Sequence, residues 1–283
     1  MARIESLNIL LESTGKEYLA ELYGKVIENV NKQLVSARMK NTDLSGNPEA
    51  GSVEAKRFVN AASKDYGTAR AAGKGDAVKA KPVTIPIDQD KEIVEELEQK
   101  DVSLYGVDGI LAKRANNHVQ RMAAELDTAF FAEAKKAGTK ITPVSTDVPD
   151  EIEEAIQVCE NTKNDFVDGV PRSMINLVCS TAYYGKIRTY LDKVSRANVD
   201  SSSEEFYEYH GVKTFSSVHL PDGVDYEIMV DGAIAQPVMS DQYTAEKIPL
   251  SNAYGVELFY HCGTKAVMPD LIFYKESAAA SNS

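Results

Sequence analysis

The sequence predicts an α+β fold. Three observations carry that expectation: strand-like alternation on either side of a Gly- and Lys-rich segment within 53–88, an unbroken helix-period run over 107–137, and a strand-patterned C-terminal third from Val212 onward. With 283 residues, 43% of them hydrophobic and 26% charged, the composition is globular and the length suits one large domain or two closely connected ones.

The first forty residues read as helical, with Thr14 and Glu17 at capping-box spacing and Tyr18, Leu22, Val26, Ile27, Val30 and Leu34 along one face. With the polar, glycine-containing stretch 41–52 they are expected to form an N-terminal helical arm and connection over 1–52. In the hairpin that follows, Val83, Ile85 and Ile87 alternate with Thr84 and Pro86, 53–59 supplies the partner strand, and Pro86 marks a sheet edge. The connecting segment 66–76 has three glycines and no large aliphatic side chain, so it has nothing with which to build a core and is expected to project.

The long helix has one apolar face made of Leu111, Ala115, Val119, Met122, Leu126, Ala129, Phe130 and Ala134. No proline interrupts it, Gly138 stands just beyond as a stop, and its length is roughly 40 Å. A shorter helix opens at 147–150 and carries Ile152, Ala155, Ile156 and Cys159 as its buried stripe, ending near Asn164. The apolar run 174–179 reads as a buried strand, and Ser180 caps a helix bearing Tyr183, Tyr184, Ile187, Tyr190 and Leu191. Strands are then expected over 212–215, 226–230 and 233–238, the last after a turn at Asp231-Gly232. A closing hairpin is expected to run through 256–261, turn at Gly263-Thr264 and return through 265–268, with an apolar run at 271–274 and a small polar tail at 277–283.

Charge is unevenly distributed. Over 56–81 seven basic residues (Lys56, Arg57, Lys64, Arg70, Lys74, Lys79 and Lys81) face two acidic ones, whereas over 88–101 seven acidic residues face two lysines. The first segment predicts a basic loop presented by Lys64, Tyr66, Arg70, Lys74, Lys79 and Lys81. The second predicts an acidic surface made of Asp88, Asp90, Glu92, Glu95, Glu96 and Glu98, suited to receive such a loop from another copy. The alternative is two solvated faces, since exposed ion pairs each contribute at most about 1 kcal/mol.

Several function classes find no support in the residues. No stretch approaches the roughly eighteen apolar residues of a membrane span. The opening Met1-Ala2-Arg3-Ile4-Glu5 lacks a secretory pattern and predicts folding in the cytoplasm, and three scattered cysteines suit reduced thiols. A net charge of −12 argues against a general affinity for nucleic acid. The segment Gly67–Gly75 has five residues between Gly67 and Gly73, one more than a phosphate-binding loop, and Gly75 where that loop needs Ser or Thr. His118, His210, His219 and His261 show no metal-ligand spacing, and no nucleophile elbow occurs, so no catalytic residue, cofactor or metal is predicted.

The order of elements (helical arm, projecting hairpin, long helix, α/β segment, closing strands with a glycine turn and then Pro269) resembles the major capsid proteins of tailed bacteriophages, the HK97-like fold. The resemblance implies an extended loop at 53–88 and a peripheral domain made of 89–148 and 238–276 with a spine helix at 107–137. It further implies an axial domain at 149–237 and a flexible tail at 277–283. It implies a structural, non-enzymatic protein that assembles into pentamers and hexamers of an icosahedral phage head enclosing double-stranded DNA. Its partners would be other copies of itself, a separate scaffold protein, a portal and decoration proteins, in a virion capsid built in the host bacterial cytoplasm. An encapsulin-type compartment shell shares the fold and is the alternative; an α/β enzyme without a recognisable motif is the alternative of another class.

Overall fold

The computed structural model describes residues 7–68, 75, 77–193, 206–240 and 243–277, without the side chains of 103–105 and 240. Arg70 and Lys74 of the predicted basic loop lie outside the described residues, as does nearly all of the predicted tail. In chain order the elements are α1 (Ser13–Gln33), β1 (Ser52–Phe58), β2 (Ala80–Pro86), β3 (Gln89–Leu97), α2 (Gln99–Ala137), β4 (Thr139–Lys140), α3 (Val148–Glu160) and β5 (Ile175–Ser180). They continue with α4 (Thr181–Lys193), β6 (Glu208–Tyr209), β7 (Val212–Ser217), β8 (Val224–Val230), β9 (Ile234–Ala235) and β10 (Val238–Ser240). The last are β11 (Thr244–Lys247), β12 (Tyr254–Cys262), β13 (Lys265–Ala266) and β14 (Ile272–Glu276). Two units divide the chain: one gathers 1–37, 87–127 and 237–263, the other 38–86, 128–236 and 264–283.

In the first unit the N-terminal segment expected as an arm packs into a core. Leu19, Leu22, Tyr23, Val26 and Val30 of α1 are buried with Leu111, Val119, Met122 and Leu126 of α2 and with Leu258 and Tyr260 of β12. The helix starts at Ser13 after Glu12, without a side-chain cap, so the Thr14/Glu17 capping box does not form. Beyond its end, the buried carboxylate of Asp127 accepts the backbone N–H groups of Val35 and Ser36 at 3.0 and 3.1 Å. These would otherwise be orphan donors at a chain reversal.

The acidic stretch is a strand, β3, paired antiparallel with β12 from Gln89↔Cys262 to Leu97↔Tyr254. Its alternation is visible once the pairing is known: Ile93, Glu95 and Leu97 point inward, while Glu92, Val94 and Glu96 are exposed. The opposite edge of β12 is taken by β10 and β11. That is why the predicted closing hairpin does not form: β12 has no free edge for the residues after Gly263, and β13 pairs with β9 in the second unit.

The second unit is built on a six-stranded sheet in the order β4-β14-β8-β5-β7-β6, parallel at β4-β14 and β5-β7 and antiparallel elsewhere. Ile152, Ala155, Ile156 and Cys159 of α3 and Tyr183 and Ile187 of α4 cover one face, against Ile175, Leu177, Cys179, Tyr226 and Ile228. Ser180 caps α4 as expected, its hydroxyl accepting the Tyr183 N–H at 3.2 Å. The closing strand β14, which the resemblance grouped with 238–263, lies inside this sheet between β8 and β4. Ile272 and Phe273 are buried on opposite faces, which an interior strand satisfies and an edge strand would not.

Two glycines frame the long helix. Gly106 has φ 77° and ψ 169°, a left-handed break that separates a short N-terminal piece from the helix proper starting at Val107, the predicted start. Gly138 follows the last helical residue, and a Cβ there would fall 2.6 Å from the Ala134 carbonyl oxygen and 2.8 Å from Ile272 Cγ2. Its role is the close approach of β14, not a left-handed cap.

Candidate functional site

The hairpin in the second unit is a two-stranded sheet with Ser52↔Pro86 at its root and Phe58↔Ala80 at its outer end. Val53, Ala55 and Ile85 are buried at the root. Beyond it the exposed residues include large apolar ones: Phe58, Val59, Tyr66 at 92% and Val78 at 85%. Lys64, Lys79 and Lys81 are exposed among them. Apolar and basic side chains interleaved on a projecting segment gain more from a protein surface than from water.

Arg57, counted with this basic set, is committed elsewhere in the same unit. Its guanidinium donates to both carboxylate oxygens of Asp270, at 2.5 and 2.8 Å, and lies 4.3 Å from the ring centroid of Phe166. Asn164 Nδ2 donates to the same carboxylate at 2.5 Å, and the Asn60 N–H donates to the Asp165 carbonyl at 2.9 Å. Partial burial raises the Asp270 pKa, but the Arg57 hydrogen bonds and charge outweigh it and hold the carboxyl below its ordinary value.

The acidic strand in the first unit divides into two roles. Asp88, Asp90, Glu92, Glu96 and Glu98 are exposed; Asp90 meets His261 Nδ1 at 2.7 Å and Glu98 meets Lys100 at 2.7 Å. Glu95 faces inward and is largely covered. Arg114 Nε donates to its Oε2 at 2.7 Å, a second guanidinium nitrogen donates to Oε1, and His118 Nε2 lies 3.2 Å away with poor alignment. The other ring nitrogen of His118 is 2.6 Å from the Tyr243 hydroxyl. Burial pushes the His118 pKa down and Glu95 only partly restores it. The sequence does carry a signal for this cluster: a charge at the inward position of Ile93-x-Glu95-x-Leu97, and Arg114 and His118 four apart on one helix face.

Among the described residues no group of His, Cys, Asp and Glu could hold a metal ion. Burial pushes the thiol of Cys159 up to about 12 and that of Cys262 up to about 11, and raises Cys179 as well, so none is a ready thiolate. An apolar cleft of about 520 Å³, lined by Ile141, Pro143, Val144, Ala155 and Val158, contains one carboxylate, Glu154. That carboxylate accepts the Val144 N–H at 2.7 Å and the Ser145 N–H at 3.3 Å. No helix among the described residues is long and apolar enough to cross a membrane.

Protein-family profiles give no match to the sequence, and curated proteins give none. Solved structures do. A chain of Mycobacterium phage Che8 is 20% identical over 82% of this chain and 85% of its own, with a TM-score of 0.60. The capsid structure of the cyanophage P-SCSP1u is 14% identical over 85% of this chain and 86% of its own, at 0.59. A virus-like particle from Pyrococcus furiosus is 15% identical over 92% of this chain and 100% of its own, at 0.54. The fold of this chain is therefore theirs, the HK97-like fold, and it extends over most of the sequence.

Proposed function

We propose, with the HK97-like fold as premise, that this chain is the structural subunit of a phage head, assembling into pentamers and hexamers of an icosahedral shell around double-stranded DNA. The observation that carries the reading is the combination of that fold with a hairpin exposing Phe58, Tyr66 and Val78 beyond a buried root. A monomer has little use for such a segment; a shell subunit uses it to overlap its neighbour. The basic residues Lys64, Arg70, Lys74, Lys79 and Lys81 and the ring of Tyr66 make that contact. The receiving surface is the exposed acidic set Asp88, Asp90, Glu92, Glu96 and Glu98, without Glu95. Many modest contacts add up to a durable shell through multivalency.

The role is structural and not catalytic, with no cofactor. The domain division is an extended loop at 53–88, a spine helix at 107–137 and an axial domain at 149–237. A separate scaffold protein, a portal and decoration proteins complete the particle, which forms in the host bacterial cytoplasm and becomes the virion capsid. The likeness to the Pyrococcus furiosus virus-like particle, which spans all of that chain, supports a second reading, a compartment shell enclosing cargo in place of a genome. Sedimentation of the purified chain, alone and with a candidate scaffold protein, tests the shared premise. Large homogeneous particles are expected, and a chain that stays monomeric under every condition contradicts both readings.

A further inference from the structure

Midway along the hairpin its character changes. Val53, Ala55 and Ile85 are buried, whereas Phe58, Val59, Tyr66 and Val78 further out are exposed. Arg57 sits at the crossing point with its side chain only 11% exposed, although it belongs to a short two-stranded sheet that on its own has marginal stability. The partners of Arg57 come from two distant segments: Phe166 from the loop after α3, and Asp270 from the Pro269–Leu271 turn just before β14. Arg57 bridges the two segments by a bidentate ion pair to one and a ring contact to the other. Asn164 closes the triangle by donating to Asp270, and the Asn60 N–H fixes the hairpin strand to the 165 carbonyl.

We infer that Arg57, Asp270, Asn164 and Phe166 form a latch that fixes the direction in which the hairpin leaves its unit, and thereby the angle at which the chain meets a neighbouring copy. The inference rests on the assembly reading for its consequence, but the latch itself is a property of the single chain. A bidentate Arg–carboxylate pair is directional, so it resists rotation of the hairpin where a lysine contact would permit it. Stacking on Phe166 holds the guanidinium plane, and Asn164 occupies part of the remaining carboxylate capacity. The latch holds the inner half constant.

Two measurements separate the latch from the assembly reading. Hydrogen exchange on the unassembled chain should show the ladder amides of 57–59 and 79–81 exchanging about tenfold or more faster in Arg57→Lys and Asp270→Asn than in the wild type, the equivalent of losing one charge-assisted hydrogen bond. Amides of β5 and β8 should be unchanged. Under assembly conditions both variants should give a broader distribution of particle diameters than the wild type, and the charge-swapped pair Arg57→Asp with Asp270→Arg should narrow it again. Unchanged exchange of the 57–59 and 79–81 amides in both variants overturns the latch, whatever the particles look like. Faster exchange with particles identical to wild type overturns its role in setting the contact angle. Failure of the wild type itself to assemble contradicts the assembly reading and leaves the exchange result to judge the latch.

Discussion

Glu227 lies on β8 with neither carboxylate oxygen hydrogen-bonded, on the face of the sheet opposite α3 and α4, and burial pushes its pKa well above the ordinary carboxylate value. The folded chain therefore holds this proton more tightly than the unfolded one. Its contribution is most favourable below the ordinary carboxylate pKa and is lost as pH rises toward the folded value. Glu227→Gln keeps the shape of the protonated acid and cannot ionise, so the loss of stability between pH 5 and pH 8 should shrink by more than about 1 kcal/mol relative to wild type. Urea unfolding at the two pH values measures this, and parallel pH profiles would refute it. Glu95 makes the opposite case, a carboxylate facing inward but fully engaged. Arg114→Met should lower stability by roughly 1–2 kcal/mol, because the partly buried carboxylate loses its fork partner. A change within 0.3 kcal/mol, read from the same unfolding curves, would show the pair to be only a surface contact. The charge of Glu95 was legible in the sequence and its role was not. A carboxylate at an alternating position looks the same whether it faces water or an arginine that arrives from a helix.

At the scale of elements, helices were read well and strand partners poorly, for a physical reason. The face of α2 is written in local spacing: seven of its eight predicted apolar positions are buried, Ala129 being half-buried. A helix satisfies its own backbone, so nothing remote has to be known. Strand pairing is non-local, and the predicted hairpin at Gly263 failed because the sequence does not show that β3, some 160 residues earlier in the chain, already occupies β12. The β1–β2 hairpin was legible because its strands are neighbours in sequence and Pro86 marks its end. Gly138 was recognised as a helix stop but for the wrong reason. Its lack of a side chain admits β14, so Gly138→Ala should cost about 2 kcal/mol or more, because the methyl group meets a backbone carbonyl and a buried isoleucine. Thermal unfolding of that variant tests the packing account; an unchanged midpoint would mean that the junction of α2 and β14 yields easily.

For the whole molecule, the order of elements resembles that of tailed-phage capsid proteins, and the solved structures share that fold over most of the chain. The commitment of Arg57 to Asp270 joins residues 213 positions apart and left no local trace in the sequence. On the assembly account the outer hairpin and the acidic strand act on each other only between copies. Reversing charge at Lys79 and Lys81 together should then leave the unfolding curve of the isolated chain within about 0.5 kcal/mol of wild type while weakening assembly, and reversal at Glu92 and Glu96 should do the same. Combining the two reversals should restore particles. The most direct measurement is electron-microscopic imaging of the purified chain under assembly conditions with its scaffold. The account predicts closed icosahedral shells in which density for the hairpin of one subunit lies over the exposed face of β3 of the next. Particles in which that face is bare, or a chain that forms no particle at all, would contradict it.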